Sequence, residues 1–545
     1  MFCLTHTHEG NRDEPRVGDH ASENSAKNAA AQISENIRKA LGGRAYPSQV
    51  RILDTTLRDG EQTPNVAISL DDKIKIAQAL DDLGVDIIEA GFPITSDGER
   101  QAVRAIGKLG LKAEVLGLSR SSKEDIDAVA DCGLKSIHIF LATSDIHMQN
   151  KLKMTRDQVV EKAVWAVDYA KSRGMTVEFS PEDATRSDVE FLKRVIQAIQ
   201  DAKVDRIDIP DTVGVMIPQS MGSLITELRT VAKVPLAVHC HDDFGLSVSN
   251  SFAAVLAGAE EIHCTINGLG ERAGNAALEE VAVGLATFFS IKTNINLKKL
   301  AHVSRLVSHL TGVQVQPNKA IVGDNAFAHE SGIHVHGVLK ESFTYEAISP
   351  ESVGKERALV VGKHTGTHAV QSKLKSYGIE MPEGQLKEFV TRIKKLSEGG
   401  KKFDDAELIA LAYDVIGKTE EPACIKLEEF AVFTGINFTP TATVTLNVAG
   451  QSKRSSESGI GPIDASLNAI RSAVNKNIVL KEFRLEAITG GSDALCEVIV
   501  KLGDKRDDSI LSLGKSVGPD IVLTSIEAEI ISLNRLCSIK KDLLQ

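Results

Sequence analysis

A regular alternation of short apolar runs and helical segments, beginning near residue 50, constrains the fold of this chain more than any other feature. Eight runs rich in β-branched residues are separated by stretches with helical periodicity. The predicted strands are Val50–Leu53, Val85–Glu89, Ala113–Leu118, Ser136–Leu141, Thr176–Ser180, Arg206–Ile209, Leu236–His239 and Glu261–Ile266. Eight such units predict an α/β fold, a (β/α)8 TIM barrel. A doubly wound open sheet would need fewer strands, and its glycine-rich turn after the first strand is missing.

A barrel of this kind collects reactive side chains at the carboxyl ends of its strands. Several chemically capable residues follow the predicted strands in this way. They are Arg58 and Asp59 after the first strand, Glu182 after the fifth, Thr212 after the sixth, His239 and His241 at the end of the seventh, and Asn275 after the eighth. His138 lies within the fourth strand, where a position inside the barrel is equally consistent with the pattern.

The pair His239 and His241 indicates a metal site. Residues i and i+2 of a strand point to the same face, so both imidazoles can reach one ion. Asp59 would add a carboxylate, because Asp242 points to the other face and Cys240 alternates away into packing. Nitrogen and oxygen ligands suit Zn²⁺, Mn²⁺, Mg²⁺ or Fe²⁺, and the sequence does not choose among them. Two ordinary histidines near a strand end are the alternative.

An open metal position beside Arg58 suits a substrate that chelates through a carbonyl and a carboxylate, such as a 2-oxo acid. The metal would polarise the carbonyl and Arg58 would stabilise the alkoxide that develops. This chemistry supports formation or cleavage of a carbon–carbon bond, and the residues alone leave the direction open.

Composition and length indicate the number of domains and exclude some classes of partner. A chain of 545 residues is too long for a single hydrophobic core, so two or three domains are expected. A net charge of -11 argues against binding to nucleic acid or an anionic membrane. Seven scattered cysteines indicate reduced thiols in a cytoplasm, and no apolar run approaches the roughly 20 residues of a membrane span. The predicted divisions are a disordered extension over 1–46, the barrel over 47–297, helical linker subdomains that contribute to the active site over 298–419, and a C-terminal domain over 420–545.

The C-terminal domain contains an internal repeat. Two strand-rich segments, 430–448 and 483–502, are each followed by a Gly-Pro turn and a helix. The pattern predicts a pseudo-twofold α+β domain that serves dimerisation or senses a small ligand.

With its motifs in this order, the chain resembles the 2-isopropylmalate synthases and their relatives, the citramalate and homocitrate synthases. The resemblance extends from residue 47 to the C-terminus, and the wider barrel group includes lyases and aldolases that share its Arg-Asp and His-x-His parts. It rests on four segments, which are Asp54–Gln62, His239–His241, Gly268–Asn275 and Ser331–His334. It implies a Claisen-type condensation of acetyl-CoA with a 2-oxo acid, followed by hydrolysis of the thioester.

The resemblance also implies residue roles. Asp59, His239 and His241 would bind a divalent metal (Mn²⁺, Mg²⁺ or Zn²⁺), with Asn275 completing the site directly or through water. Arg58 would stabilise the oxyanion, Thr212 and His138 would bind the 2-oxo acid, Glu182 would assist proton transfer, and His334 would deprotonate the acetyl methyl group. His334 would come from outside the barrel, from the same subunit or its homodimer partner.

Alternatives remain at single positions and for the whole chain. Glu182 could simply pair with Arg186, and His329 or His336 could replace His334. The resemblance at Phe140–Thr143 and Ile209–Pro210, where citramalate synthases tend to differ, implies 2-oxoisovalerate as the substrate, with citramalate synthesis from pyruvate as the alternative. A metal-dependent lyase or aldolase and a catalytically silent sensor are the remaining alternatives. The C-terminal repeat resembles the leucine-sensing regulatory domain of these synthases. This resemblance implies inhibition by leucine, bound near glycine turns at Gly459, Gly461, Pro462, Gly490 and Gly491.

Overall fold

The computed structural model describes residues 31–42, 45–330, 337, 344–359, 361, 365–377, 379–398, 403, 405–416, 424–487 and 496–540. The chain forms two compact units. The first comprises Met1–Ala328 and Tyr345–Arg357, and the second comprises His329–Thr344 and Ala358–Gln545. The metal-ligand candidates of the barrel lie in the first unit, and the C-terminal repeat lies in the second.

The first unit contains a closed barrel of eight parallel strands in sequence order. The strands are β1 (Arg51–Asp54), β2 (Ile87–Glu89), β3 (Glu114–Arg120), β4 (Ser136–Ala142), β5 (Thr176–Glu182), β6 (Arg206–Asp211), β7 (Leu236–Cys240) and β8 (Glu261–Cys264). β1 pairs with β8 to close the barrel, with Arg51 opposite Glu261. The predicted TIM barrel is confirmed, and every predicted strand overlaps an observed one.

Helices follow the strands and cover the barrel. They are α1 (Leu70–Leu83), α2 (Asp97–Gly107), α3 (Lys123–Asp131), α4 (Arg156–Ser172), α5 (Val189–Asp201), α6 (Pro218–Arg229), α7 (Ser247–Leu256), α8 (Leu278–Phe289) and α9 (Leu300–Thr311). Shorter helical segments lie at Gly60–Gln62, Asp145–His147, Met148–Leu152, Ala184–Arg186, Ile266–Gly268, Leu297–Lys299 and Pro350–Val353. Five of the long helices begin where a side chain accepts a hydrogen bond from the first turn, at Ser69, Ser96, Ser122, Thr155 and Asp188.

The first unit differs from the predicted divisions at both ends. Residues 31–40 are helical, Ile37 packs on the barrel core, and the Ser34 hydroxyl lies 2.9 Å from that of Ser290. The predicted disorder is therefore wrong for this helix, whose few apolar residues are stabilised by packing on the barrel. At the other end, α9 buries Leu300 and Val303 in the barrel core, beyond the predicted boundary at residue 297.

The second unit begins with short strands and helices. Two-residue strands lie at Ala328–His329 and Ala358–Leu359, and three helices follow: α10 (Thr367–Ser376), α11 (Glu383–Glu398) and α12 (Asp405–Ile416). Val370, Leu374, Phe389 and Leu408 are among the residues of their shared core.

The C-terminal part of the second unit contains the predicted repeat. The first copy is β9 (Ile425–Gly435), β10 (Phe438–Val448), β11 (Gln451–Ser458) and α13 (Pro462–Val474). The second copy is β12 (Ile478–Ala487), β13 (Cys496–Asp504), β14 (Asp507–Gly518) and α14 (Ile521–Ile539). Each copy forms a three-stranded antiparallel sheet, and the two share one core. No helix in the described part of the chain has the length and apolar character that a membrane span requires.

Candidate metal centre at the mouth of the barrel

Asp59, His239 and His241 come together at the carboxyl ends of β1 and β7. Asp59 Oδ2 lies 3.5 Å from His239 Nε2 and 3.9 Å from His241 Nε2, and the two Nε2 atoms are 3.3 Å apart. One potential ligand atom from each residue therefore falls within 4.8 Å of the others. All three side chains are buried. Their convergence is the arrangement that the His-x-His spacing predicts.

The electrostatics of the cluster suit a cation. Burial alone would raise the pKa of Asp59, but the charge of Arg58 and contact with His239 hold that pKa well below its ordinary value. Burial and the neighbouring His239 lower the pKa of His241 to about 4. Asp59 is therefore a carboxylate and His241 a neutral imidazole near pH 7, which are the forms that bind divalent metals.

Asn275 supplies an unused oxygen beside the cluster. The residue is paired with His241 through an isolated β-bridge, and its Nδ2 donates to Leu269 O at 3.0 Å. Its Oδ1 is buried and has no hydrogen-bond partner. An orphaned amide oxygen next to one carboxylate and two imidazoles fits a divalent metal that prefers nitrogen and oxygen ligands. The residues present therefore fit the metal, and Asn275 remains the predicted fourth member.

The loop Gly268–Asn275 holds Asn275 by close backbone contacts. A Cβ atom on Gly270 would lie 2.1 Å from Asn275 Nδ2 and 3.2 Å from Asp59 Oδ1. Gly270 is fixed in place, because its N–H donates to Thr63 Oγ1 at 2.8 Å and its carbonyl accepts from the same hydroxyl at 3.1 Å. Glycine is therefore required here because the loop backbone touches the candidate ligands.

Arg58 is oriented by a buried carboxylate that the sequence did not reveal, Glu89 at the end of β2. Arg58 donates through Nε to Glu89 Oε2 at 2.7 Å and through Nη1 to Asp59 Oδ2 at 2.6 Å. Thr55 donates to the same Glu89 oxygen at 2.6 Å. Burial opposes ionisation of Glu89, but the charges of Arg58 and His138 hold its pKa below the ordinary value. Only its place at a strand end could have singled it out.

His138 lies inside the barrel, one of the two positions that the sequence allowed. Its Nδ1 is 2.7 Å from Glu89 Oε1, and its Nε2 is 2.6 Å from Ser180 Oγ. Ser180 in turn donates to Asp208 Oδ2 at 2.6 Å. Both ring nitrogens already bond protein groups, so direct binding of substrate by His138 would have to replace one of these bonds.

The structure also places the other predicted substrate residues. Thr212 Oγ1 accepts from the Asp183 backbone N–H at 2.9 Å, which leaves its own O–H free to donate to a ligand. Glu182 pairs with Lys151, with Nζ at 2.7 Å from Oε1. The alternative pairing of Glu182 with Arg186 is wrong, because Arg186 binds Asp183 at 2.8 Å. His334, His336, Gly490 and Gly491 lie outside the described residues.

A second cluster of potential ligands, Glu178, Glu261 and His263, lies inside the barrel. His263 Nε2 is 2.7 Å from Glu178 Oε1, and Arg206 Nε is 3.1 Å from Glu178 Oε2. Arg206 already brings a positive charge to these carboxylates. We therefore assign this cluster to ion pairing within the barrel.

A (β/α)8 barrel whose open end carries a carboxylate, two imidazoles and an arginine has the architecture of a metal-dependent enzyme. Comparison with known proteins narrows this class. Residues 49–307 match the HMGL-like family, residues 321–401 match the homocitrate synthase post-HMGL domain-like family, and residues 402–537 match the LeuA allosteric (dimerisation) domain.

Similar proteins extend over nearly the whole chain. The 2-isopropylmalate synthase of Methanocaldococcus jannaschii is 52% identical over 509 residues, which cover 92% of this chain and 98% of that protein. A probable 2-isopropylmalate synthase of Methanopyrus kandleri is 50% identical over 500 residues, covering 91% and 100%. The (R)-citramalate synthase of M. jannaschii is 47% identical over 491 residues, covering 89% and 99%.

The chain belongs to the family of 2-isopropylmalate and (R)-citramalate synthases, acyltransferases that condense acetyl-CoA with a second substrate. The HMGL-like family depends on a divalent metal, and Asp59, His239 and His241 are the candidate ligands in this chain. Similarity to both kinds of synthase leaves the choice of 2-oxo acid to be made on other grounds.

Proposed function

We propose that this protein is a 2-isopropylmalate synthase, which condenses acetyl-CoA with 2-oxoisovalerate and hydrolyses the thioester to 2-isopropylmalate and CoA. The observation that carries the proposal is the convergence of Asp59, His239 and His241 beside Arg58 at the mouth of the barrel. The identity of 52% and 50% to two 2-isopropylmalate synthases supports 2-oxoisovalerate as the substrate. A cytoplasmic location and first place in the leucine branch are parts of the same proposal.

The side chains divide the work as follows. Asp59, His239, His241 and Asn275 would hold a divalent metal (Mn²⁺, Mg²⁺ or Zn²⁺), and this ion would supply Lewis-acid polarisation of the carbonyl of the 2-oxo acid. Arg58 stabilises the negative charge that develops on this oxygen, since Glu89 and Asp59 fix its guanidinium. The free O–H of Thr212 donates to the carboxylate of the acid.

Proton transfers fall to residues near the acetyl group. Glu182, whose carboxylate is held by Lys151, assists proton transfer near the reacting carbons. His334 deprotonates the acetyl methyl group, which creates the carbon nucleophile that attacks the 2-oxo acid.

Release of free thiol from acetyl-CoA, measured with a panel of 2-oxo acids, tests the proposal. Preference for 2-oxoisovalerate in kcat/KM is expected. A preference for pyruvate would make the protein a citramalate synthase, the second candidate, which the 47% identical (R)-citramalate synthase favours. Absence of thiol release with every acid would refute both and favour a lyase, an aldolase or a silent sensor.

Feedback inhibition by leucine and a homodimer are further parts of the proposal, supported by the match to the LeuA allosteric (dimerisation) domain. We place leucine at the turn that joins β11 to α13. A Cβ on Gly461 would have no atom within 4 Å, and its φ of -147° is open to any residue, so a larger side chain should fold there. A Cβ on Gly459, by contrast, would lie 2.4 Å from Ala465 N.

Gly461→Val tests this placement. Activity should persist while inhibition by leucine weakens at least tenfold, because the added side chain fills the space that the ligand would take. Gly384→Ala in α11, where a Cβ also meets nothing within 4 Å, serves as the control and should keep normal inhibition. Unchanged inhibition in Gly461→Val would place leucine elsewhere, and sedimentation equilibrium would test the dimer.

A further inference from the structure

An unbroken chain of hydrogen bonds runs across the barrel interior from β6 to the candidate site. Asp208 on β6 accepts from Ser180 on β5, and Ser180 lies 2.6 Å from His138 Nε2 on β4. His138 Nδ1 lies 2.7 Å from Glu89 on β2, and Glu89 binds Arg58. All the links except Arg58 are at most 4% exposed, so bulk solvent has little access to these bonds.

The hydrogen bonds of this chain require one more proton than a neutral His138 and an ionised Asp208 would supply. Glu89 is ionised and can only accept, so His138 Nδ1 must carry a hydrogen and donate. The two bonds from His138 Nε2 through Ser180 Oγ to Asp208 Oδ2 then require two hydrogens. A neutral His138, the single Ser180 O–H and an ionised Asp208 together supply only one. The segment therefore holds one additional proton.

This proton has two positions. In one arrangement His138 is an imidazolium that donates to Ser180, and Ser180 donates to an ionised Asp208. In the other, Asp208 is protonated and donates to Ser180, which donates to a neutral His138. The two interconvert when the proton on Asp208 moves to Ser180 Oγ while the hydroxyl proton of Ser180 moves to His138 Nε2. No bond is lost and no further reactant is needed.

We propose that Asp208, acting through Ser180, is a positioning residue that supplies His138 with its second proton and so places a positive charge behind the Glu89–Arg58 pair. The inference rests on the proposed function, because that pair faces the 2-oxo acid. Binding of an anionic acid draws the proton to His138, which leaves the negative charge on the distant Asp208. A cation behind Glu89 in turn favours the bound carboxylate and the developing oxyanion.

Charged groups face His138 from the packed strands. Glu89 on β2 and Asp208 on β6 are the carboxyl groups of the hydrogen-bonded chain, the latter through Ser180. His263 on β8 packs edge-on with ring centroids 5.5 Å apart. Burial opposes a charge on His263, but Asp208 and Glu178 hold its pKa well above the ordinary value, so it is an imidazolium, paired with Glu178 on β5 at 2.7 Å. The other Asp208 oxygen, Oδ1, has no hydrogen-bond partner and lies 3.9 Å from His263 Nδ1.

Asp208→Asn is the decisive variant, because it removes the carboxyl group that can hold the additional proton and keeps the shape of the side chain. The amide introduced by this substitution can donate to Ser180 Oγ, which donates to a neutral His138, so each link retains its bond. At pH 8 the KM for the 2-oxo acid should rise about tenfold, the effect of one charge across roughly 10 Å of protein interior. The KM for acetyl-CoA should stay unchanged, and the KM for the acid should recover towards pH 6 as His138 takes a proton from solvent.

Two further variants separate this role from a structural one. Asp205→Asn, three residues earlier, removes a carboxylate that pairs with Lys171 and accepts from Val177 N, and it should leave the pH dependence unchanged. Ser180→Ala interrupts the chain, so Asp208→Asn added to it should cost little more. An Asp208→Asn variant with the wild-type KM, or with an equal loss at pH 6 and pH 8, would overturn the inference.

A direct measurement keeps this inference separate from the proposed function. Deuterium exchange at the imidazole C2 position, followed by mass spectrometry against pH, reports the protonation of His138 in the full-length protein without substrate. The midpoint should fall by about one pH unit or more in Asp208→Asn, because a neighbouring negative charge is lost. An unchanged midpoint would overturn the inference even in an active enzyme. A wild-type protein that releases no thiol would refute the function and leave this test standing.

Discussion

Replacing Gly270 by alanine should open the candidate metal centre without unfolding the barrel. The new Cβ would lie 2.1 Å from Asn275 Nδ2, whereas ordinary contacts begin near 3.4 Å, so the amide must retreat by more than 1 Å. The loop itself cannot retreat easily, because Thr63 holds both the N–H and the carbonyl of Gly270. The substitution should therefore weaken the hydrogen bond from Asn275 to Leu269 O and displace the neighbouring Asp59.

The expected loss of metal affinity follows from the displacement of Asn275. Disturbing a group that supports a metal lowers affinity about 10- to 100-fold, which is about 1.4–2.7 kcal/mol. Competition against a chelator of known affinity, read by metal analysis of the protein fraction, measures this change. Gly98→Ala is the matched control, since its Cβ would have only Ser96 Oγ within 4 Å, at 3.8 Å. A folded Gly270→Ala protein with wild-type metal affinity would refute the assignment of Asn275 and its loop to the metal site.

Three further predictions address the catalytic base, the oriented arginine and a buried acid. His334→Ala should abolish thiol release while metal content stays intact, and His336→Ala should retain activity; turnover in His334→Ala would exclude His334 as the base. Glu89→Gln should lower kcat/KM about 100-fold, because Arg58 loses the charge that fixes it. Glu114→Gln, a control at a carboxylate that faces Arg206 and Arg51, should leave kcat/KM unchanged. Equal losses in the two variants would contradict the role of Glu89 in orienting Arg58. Burial raises the pKa of Glu279 from 4.5 to about 7, so its contribution to stability is present below about pH 4.5 and lost as pH rises to about 7. Glu279→Gln should therefore stabilise the protein by about 2–3 kcal/mol more at pH 8 than at pH 5 in urea unfolding, and an equal effect at both would contradict the burial argument.

The barrel could be predicted because its strands are apolar runs with helices between them at regular spacing. The helix at 31–40 could not, since its sequence has little apolar character and its stability comes from contacts such as Ser34 with Ser290. Helical propensity alone is marginal for a segment of this length. Contacts with residues distant in sequence therefore stabilise the helix at 31–40, which composition alone did not predict.

The convergence of the candidate metal ligands could be predicted because His239 and His241 share a strand face and Asp59 follows another strand. Glu89 and Ser180 were not found, since single polar residues within buried strands resemble structural ones until the barrel closes around them. The pairing of Glu182 with Arg186 failed for a local reason. Asp183 adopts a left-handed conformation (φ 64°) that turns the chain, and Arg186 binds Asp183 instead.

The central claim is that a metal held by Asp59, His239 and His241 enables condensation of acetyl-CoA with a 2-oxo acid. The most direct test measures free thiol release with 2-oxoisovalerate before and after the metal is removed by a chelator and then restored. Release should stop on removal, return with a divalent metal, and remain absent in a restored His241→Ala protein. Thiol release that persists in fully metal-free protein, or that is absent under every condition, would contradict the claim.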